Sequence, residues 1–303
     1  MLRARRRTST WPPFGPPLIF MGTAALISLA AAQLTAAAPL SRSAMADCSA
    51  PGAAARAVAR HTGSPPVVAQ KLDGRGEFIG RGLTFTAAGR QTAISLPPDS
   101  SVSDPSGDAV VYTRSVGGNS EVHLVDLGSG CDATIARPPG VARSAILDQV
   151  GASVYVHSVT FPARTDAGVG RYALDGGDAQ VVVPPVPDDS RFGLTFGTQL
   201  GWSSDGGTLF VQSCGAQACR TRLLAPSSGQ ITTFDAPGQG QIVGLTARHL
   251  ITYADCAGQP CAVLSTETAS GVTTTLADEA WSAVLNGSTV TIETAAGNVE
   301  VPQ

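Results

Sequence analysis

From Val67 onward, short apolar runs alternate with clusters of Gly, Pro, Asn, Asp and Ser. That is the pattern of β-strands separated by tight turns. Residues 83–86, a turn at Ala88-Gly89 and residues 92–96 read as a hairpin. Four units follow, near 98–136, 145–183, 194–234 and 241–276, and a fifth begins at Trp281 and stops one strand short. Placing 202–234 over 244–276 brings Cys214 onto Cys256, Cys219 onto Cys261, Leu209 onto Ile251, Val211 onto Tyr253 and Gly229 onto Gly271. A strand-bearing period of about 40–45 residues marks a propeller blade. The turn glycines Gly107, Gly151 and Gly207 keep this beat loosely, and His249 takes the equivalent place in the fourth unit.

The expected fold is therefore all-β, a β-propeller of five or six four-stranded blades over 67–303. An open ring leaves strand edges unpaired. The amino-terminal stretch 67–96 is thus expected to meet the incomplete last blade, closing the ring by pairing the amino- and carboxy-terminal strands.

The run Trp202-Ser203-Ser204-Asp205-Gly206-Gly207-Thr208-Leu209-Phe210-Val211 resembles the repeat of TolB-like and WD-repeat-like propellers, in which a Trp-Ser-Pro-Asp-Gly turn leads into an apolar strand. Val122-His123-Leu124-Val125-Asp126-Leu127, followed by Gly130, is similar to a later strand and turn of the same repeat. Ser204 stands where the family has proline, and the fourth unit lacks the Asp-Gly turn. The resemblance implies a protein-binding platform of the cell envelope. Relatives of that family carry a fused serine-hydrolase domain; the resemblance here covers only the propeller repeat, and no such domain is expected.

The amino terminus changes the picture of where the propeller works. Arg3, Arg5, Arg6 and Arg7 precede an uncharged, mostly apolar run over 17–40, with small-x-small sites at Ala36-Ala37-Ala38 and Ala44-Met45-Ala46. Residues 1–46 read as a cleaved signal peptide or, because the apolar run is long enough to span a bilayer, as a retained signal anchor. Asp47 ahead of Cys48 excludes a lipobox, and residues 47–66 read as an Ala/Gly/Pro-rich tether with a short helix near 53–60. The expected location is extracellular or periplasmic, with membrane contact only through an uncleaved leader.

Removing 1–46 takes away five arginines and leaves 15 basic and 23 acidic side chains, a net charge of −8 with Lys71 as the single lysine. Such a body repels phosphate backbones, so nucleic acid is excluded as a partner. A monomer that binds another protein is expected.

Six cysteines fit an oxidising compartment. Each Cys-x4-Cys brackets a short polar loop between strands, where facing residues lie close enough for a disulfide. Cys214 is expected to pair with Cys219, Cys256 with Cys261 and, by elimination, Cys48 with Cys131. The competing reading joins the four later cysteines on one zinc ion, but successive blades hold equivalent positions apart.

No catalytic, metal or cofactor motif emerges. Gly201-Trp202-Ser203-Ser204-Asp205 begins like a nucleophile elbow but lies in a strand–turn–strand setting. His61, His123, His157 and His249 lack metal-ligand spacing, and His123 and His249 read as surface or packing residues. Binding residues are sought on two long loops: Phe161, Arg164 and Asp166 within 157–171, and Asp188, Asp189, Arg191 and Phe192 within 184–194. Aromatic and arginine side chains on loops of a rigid ring suit a binding surface. The alternatives to a protein-binding scaffold are a hydrolase or lyase with carboxylates or histidines at the central channel, and a carbohydrate-binding propeller. Only 5% aromatic residues weigh against the last.

Overall fold

The computed structural model describes residues 67–303, apart from connections at 73–77, 88–89, 97–99, 104–108, 117–118, 127–130, 149–152, 161–164, 175–178, 187–196, 215–217, 238–239 and 255–259. The leader, the tether and Cys48 lie outside the described residues. Every element described is a strand, and the strands form six antiparallel meanders, taken here as blades 1 to 6. Blade 1 contains β1 (Val67–Leu72), β2 (Phe78–Ala87) and β3 (Arg90–Leu96). Blade 2 contains β4 (Ser101–Val102), β5 (Ala109–Val116), β6 (Asn119–Asp126) and β7 (Cys131–Ala136). In blade 3 are β8 (Val141–Leu147), β9 (Ser153–Val159), β10 (Asp166–Ala173) and β11 (Gln180–Val183). Blade 4 is built from β12 (Gly197–Trp202), β13 (Leu209–Cys214), β14 (Ala218–Ala225) and β15 (Gln230–Pro237). Blade 5 has β16 (Ile242–Leu245), β17 (His249–Ala254), β18 (Cys261–Glu267) and β19 (Thr273–Ala280). Blade 6 ends the chain with β20 (Ser282–Asn286), β21 (Thr289–Thr294) and β22 (Gly297–Pro302).

Strand pleating, with side chains alternating between faces, explains how the blades stack. On β5, Val110 and Tyr112 pack with Leu83 and Leu96 of blade 1, while Ala109 and Val111 join Ala145, Val154 and Val156 of blade 3. Tyr155, Val169 and Val183 of blade 3 meet Leu209, Val211 and Leu224 of blade 4. Leu223 and Phe210, on the opposite face of blade 4, meet Ile242, Leu245 and Leu250 of blade 5. Ile251 and Val263 then meet Val290 and Ile292 of blade 6. Five interfaces thus join six blades in series. At about 25 cal/mol per Å² of apolar surface, these interfaces are the main stabilising term.

Polar side chains rivet successive blades where backbone groups would otherwise lack partners. Gln199 donates to the Ile242 carbonyl at 3.2 Å and accepts from the Ile242 N–H at 2.8 Å. The Trp202 indole N–H donates to the Leu147 carbonyl at 2.6 Å. The Tyr253 hydroxyl accepts from the Ala283 N–H at 2.6 Å and donates to the Ala283 carbonyl at 3.2 Å.

The expected closure is not seen among the described residues: β1–β2–β3 and β20–β21–β22 are separate three-stranded sheets, with no ladder between β1, β2 or β3 and β20, β21 or β22. The outward face of blade 6 explains why packing does not draw a neighbour onto it. Ser282, Asn286, Thr291, Glu293 and Asn298 surround the single apolar Val284 there, whereas the inter-blade faces carry Val, Leu, Ile and Tyr.

The departure of the fourth unit also has a local cause. A hydroxyl caps the turn after three inner strands: Ser103 Oγ accepts from the Val111 N–H, Ser203 Oγ from the Thr208 N–H and Thr246 Oγ1 from the His249 N–H. The turn in blade 4 spans 203–208, but that in blade 5 spans only 246–248. The shorter turn omits the Asp-Gly pair and brings His249 directly onto the cap.

Candidate functional site

Two features of the array are candidate sites: the central channel and one rim. The innermost strands β4, β8, β12, β16 and β20 contact one another in series and enclose a cavity of about 630 Å³. Its polar lining residues are Ser101, Ser103, Ser144, Gln199, Ser203 and Ser204, among apolar residues that include Trp202, Phe210, Ile242 and Leu285. Among the described residues, the lining carries no Asp, Glu, His, Lys or Arg. Ser203 is not a free nucleophile: its hydroxyl donates to Asp205 Oδ1 at 2.5 Å and accepts from Thr208. The elbow-like stretch is a repeat turn.

The rim is assembled by register. In blade 3, Val169 pairs with both His157 and Val183, so the 160–165 loop and the connection leaving Val183 emerge at the same end of the sheet. That connection enters β12 at Gly197, which pairs with Cys214, at the tip of the β13–β14 hairpin. In blade 5, Ile242 pairs with Thr252, near the end of β17, and Cys261 pairs with Ala280, so the Cys256–Cys261 loop starts and ends at the corresponding place. The 160–165 and 184–196 connections and both Cys-x4-Cys loops therefore start and end on one rim of blades 3, 4 and 5.

Beneath this rim lies a buried polar clasp. A bulge between Asp166 and Val169 turns the Asp166 side chain inward, a usual consequence of an extra residue in one strand. Gly168 makes the bulge possible: its φ is +82°, in the region that L side chains rarely adopt, and a Cβ there would lie 2.3 Å from the Val183 carbonyl oxygen. Asp166 Oδ1 accepts from the Gly168 N–H at 2.6 Å and faces His157 Nε2 at 3.1 Å. Oδ2 accepts from Ser213 Oγ at 2.9 Å and from Arg222 Nη2 at 2.5 Å, across the interface between blades 3 and 4. The other Arg222 nitrogen, Nη1, donates to the Pro184 carbonyl, fixing the start of the 184–196 connection.

Burial alone would raise the Asp166 carboxyl. The hydrogen bond and charge of His157, the Arg222 guanidinium and the Gly168 N–H outweigh it and hold the group at about 2. Burial lowers Arg222 from its ordinary value, with Asp166 opposing the shift. The side chains of His157, Asp166 and Arg222 are 0%, 2% and 5% exposed. Ser213 and His157 both address the carboxylate and are closed to solvent, so the trio holds blades together and is not arranged as a nucleophile–base pair.

A second network covers the face of blade 2 that looks toward blade 1. Glu121 accepts from Arg114 at 2.9 and 3.1 Å and from Arg137 at 3.2 Å on two nitrogens. His123 lies between Glu121 Oε2 at 3.3 Å and Asp132 Oδ1 at 3.0 Å, stacked on the Tyr112 ring at 4.8 Å. Tyr112 donates to Asp132 Oδ2 at 2.6 Å. The Arg114 hydrogen bond, opposed by burial and aided by His123 and Arg137, holds Glu121 at about 2. Burial and the Asp132 carboxylate push Tyr112 far up.

Of the residues sought on loops, Asp166 is instead a strand residue and the centre of the buried clasp. The long hairpin shortens to a connection over 160–165, because the Gly168-Val169-Gly170 stretch, which lacks bulky alternation, belongs to β10. Phe161, Arg164, Asp188, Asp189, Arg191 and Phe192 lie outside the described residues. Cys214 and Cys219 form a disulfide with Cα atoms 4.0 Å apart, which removes them as zinc ligands. Cys261 is disulfide-bonded too, while Cys256 and the Cys131 side chain lie outside what is described. His123 and the Arg222 partnership were not legible. Their partners come from neighbouring strands, and the alternation of Glu121 and His123 on β6 is the one local hint.

Among the described residues, six antiparallel four- or three-stranded sheets stacked around a channel define a β-propeller. Several solved structures are similar to this chain. An acylaminoacyl peptidase in complex with Z-Gly-Gly-Phe-chloromethyl ketone matches with a TM-score of 0.50 at 10% identity, over 78% of this chain and 44% of the peptidase. TolB from Acinetobacter baumannii matches with a TM-score of 0.47 at 12% identity, over 74% of this chain and 60% of TolB. The β-propeller domain of the Trilobed protease from Pyrococcus furiosus, described as having an open velcro topology, gives 0.48 at 10% identity over 76% of each chain. At these identities the likeness is one of fold. No protein-family model matches the chain, and no curated protein matches it.

Proposed function

We propose that this chain is an exported, non-enzymatic β-propeller that binds another protein through the rim of blades 3 to 5. The observation that carries the reading is the convergence of the 160–165 connection, the long 184–196 connection and two Cys-x4-Cys loops on that rim, above the Asp166–Arg222 clasp. A rigid scaffold presenting adaptable loops is a common binding arrangement. The disulfide supports an oxidising compartment, and the basic-then-apolar leader supports export, whether cleaved or kept as an anchor.

Among the described residues the channel lining carries no titratable side chain, which weighs against the hydrolase alternative, because acid–base catalysis needs titratable groups within reach of the substrate. The test is capture of envelope proteins with three baits: wild type, a rim variant with residues 187–192 deleted, and Ser144→Trp, which fills the channel. A partner retained by wild type and Ser144→Trp but lost by the rim variant supports the reading. Loss with Ser144→Trp alone, or turnover of ester or peptide substrates that Ser144→Trp abolishes, overturns it.

A further inference from the structure

Strand edges supply much of the hydrogen-bonding capacity of the channel. Ser203 and Thr208 bond as a pair, so the alternation of an antiparallel ladder joins Gln199 and Gly201 to β13 and turns the N–H and C=O of Leu200 and Trp202 away from it. The Ser103–Val111 and Asp148–Ser153 bonds set the same count in blades 2 and 3, turning Val102, Ala145 and Leu147 away from β5 and β9. The Thr246–His249 bond does so for Leu245 of β16. All six residues belong to innermost strands and line the cavity of about 630 Å³. Two contacts bear out the direction: the Leu147 carbonyl accepts from the Trp202 indole N–H, and the Leu245 carbonyl accepts from the Ser204 N–H at 2.7 Å.

The remaining groups say what chemistry fits. Ser144 Oγ is buried and has no hydrogen-bond partner among the described residues, a cost that a ligand hydroxyl would relieve. Among the described residues no charged side chain lines the cavity, so an ion entering it would lose hydration without meeting a counter-charge. An extended peptide needs one uninterrupted strand edge, and the Trp202 and Ser204 bonds interrupt those of β8 and β16. A compact molecule with hydroxyls pointing several ways suits N–H and C=O groups alike, because each hydroxyl both donates and accepts. The volume lies within the range of about 300–1,000 Å³ typical of small-molecule sites. The cavity is also separate from the rim: its lining on β12 runs from Gln199 to Ser204, past the strand end opposite Gly197 and Cys214.

We propose that the end of the channel away from the rim binds a neutral, hydroxyl-rich small molecule, a mono- or disaccharide. One ligand hydroxyl meets Ser144 Oγ, and others meet the strand edges at Val102, Ala145 and Leu200, with Trp202 and Phe210 supplying the apolar wall. Backbone groups carry most of these polar contacts, so the site does not depend on a chain rich in aromatic residues. It is independent of protein binding at the rim, and either can fail without the other.

Calorimetric titration of the full chain with glucose, maltose and cellobiose, alongside glucuronate, glucosamine and an end-blocked triglycine, tests the assignment. Saturable binding of at least one neutral sugar is expected, with the charged sugars at least about tenfold weaker. Ser144→Ala should weaken the neutral sugar roughly three- to tenfold, and Ser144→Trp, which fills the cavity, should abolish its binding. Ser144→Ala removes a single oxygen, so it keeps the test decisive should Ser144→Trp not fold. Absence of binding by every neutral sugar, equal or tighter binding of triglycine or a charged sugar, or an affinity indifferent to Ser144→Ala overturns the proposal.

Discussion

Replacing Asp166 with Asn keeps the shape of the side chain and removes its charge from the interface between blades 3 and 4. Arg222 then remains buried, 5% exposed, without its counter-charge, and an amide N–H replaces one acceptor among the donors His157, Gly168, Ser213 and Arg222. Breaking a buried pair in this way costs about 3–5 kcal/mol. For a domain of this size each kcal/mol lowers Tm by roughly 2–4 °C, so a fall of about 6–20 °C is expected. The pH dependence supplies an independent reading. The Asp166 carboxyl is held at about 2, below its ordinary 3.8. A lowered folded-state value gives stability that is present above the unfolded value and lost as pH falls from about 4 through 2, worth about 2–3 kcal/mol. Asp166→Asn should therefore flatten that part of the acid limb. Urea unfolding monitored by tryptophan fluorescence across pH 2–7 measures both effects. In a double-mutant cycle, Asp166→Asn combined with Arg222→Met should cost less than the sum of the single changes. A single-mutant loss below about 1 kcal/mol with an unchanged acid limb would refute the argument that this pair holds the blades.

The partly buried Glu121 should contribute less: Glu121→Gln is expected to cost about 1 kcal/mol, and as pH falls from about 4 toward 2 the difference from wild type should shrink in urea unfolding. Removing the Cys214–Cys219 bridge with paired Ala substitutions closes no loop in the unfolded chain and should cost about 2 kcal/mol on the loop-entropy account, with earlier proteolysis at the hairpin tip. Trp202→Phe deletes the indole donor to Leu147 and the edge contact with the Tyr155 ring. It should lower stability by about 1–2 kcal/mol, seen as a shifted urea midpoint without a change in slope.

The repeat was legible because each blade carries its own local signals: alternating apolar positions on strands such as β13 and β17, and Gly turns at 229 and 271. Those signals also placed the Cys214–Cys219 hairpin. What escaped sequence reading depends on contacts between strands far apart in the chain. Asp166 meets Ser213 and Arg222 only after blades 3 and 4 stack, and nothing local distinguishes it from a loop carboxylate. Tyr112, His123 and Asp132 converge from three strands of blade 2. The separation of β1–β2–β3 from β20–β21–β22 was hidden for a related reason: joining them requires complementary faces, and the polar face of blade 6 becomes visible only once the register assigns Ser282, Asn286, Thr291 and Glu293 to one side of the sheet.

Protein recognition by the rim is the claim on which the functional account turns, and a hydrogen-exchange footprint of the chain with its captured partner tests it most directly. The account predicts slowed exchange at 160–165, 184–196 and 215–217, with β8, β12 and β16 unchanged. Slowed exchange confined to β8, β12 and β16 would place the partner in the channel and contradict it.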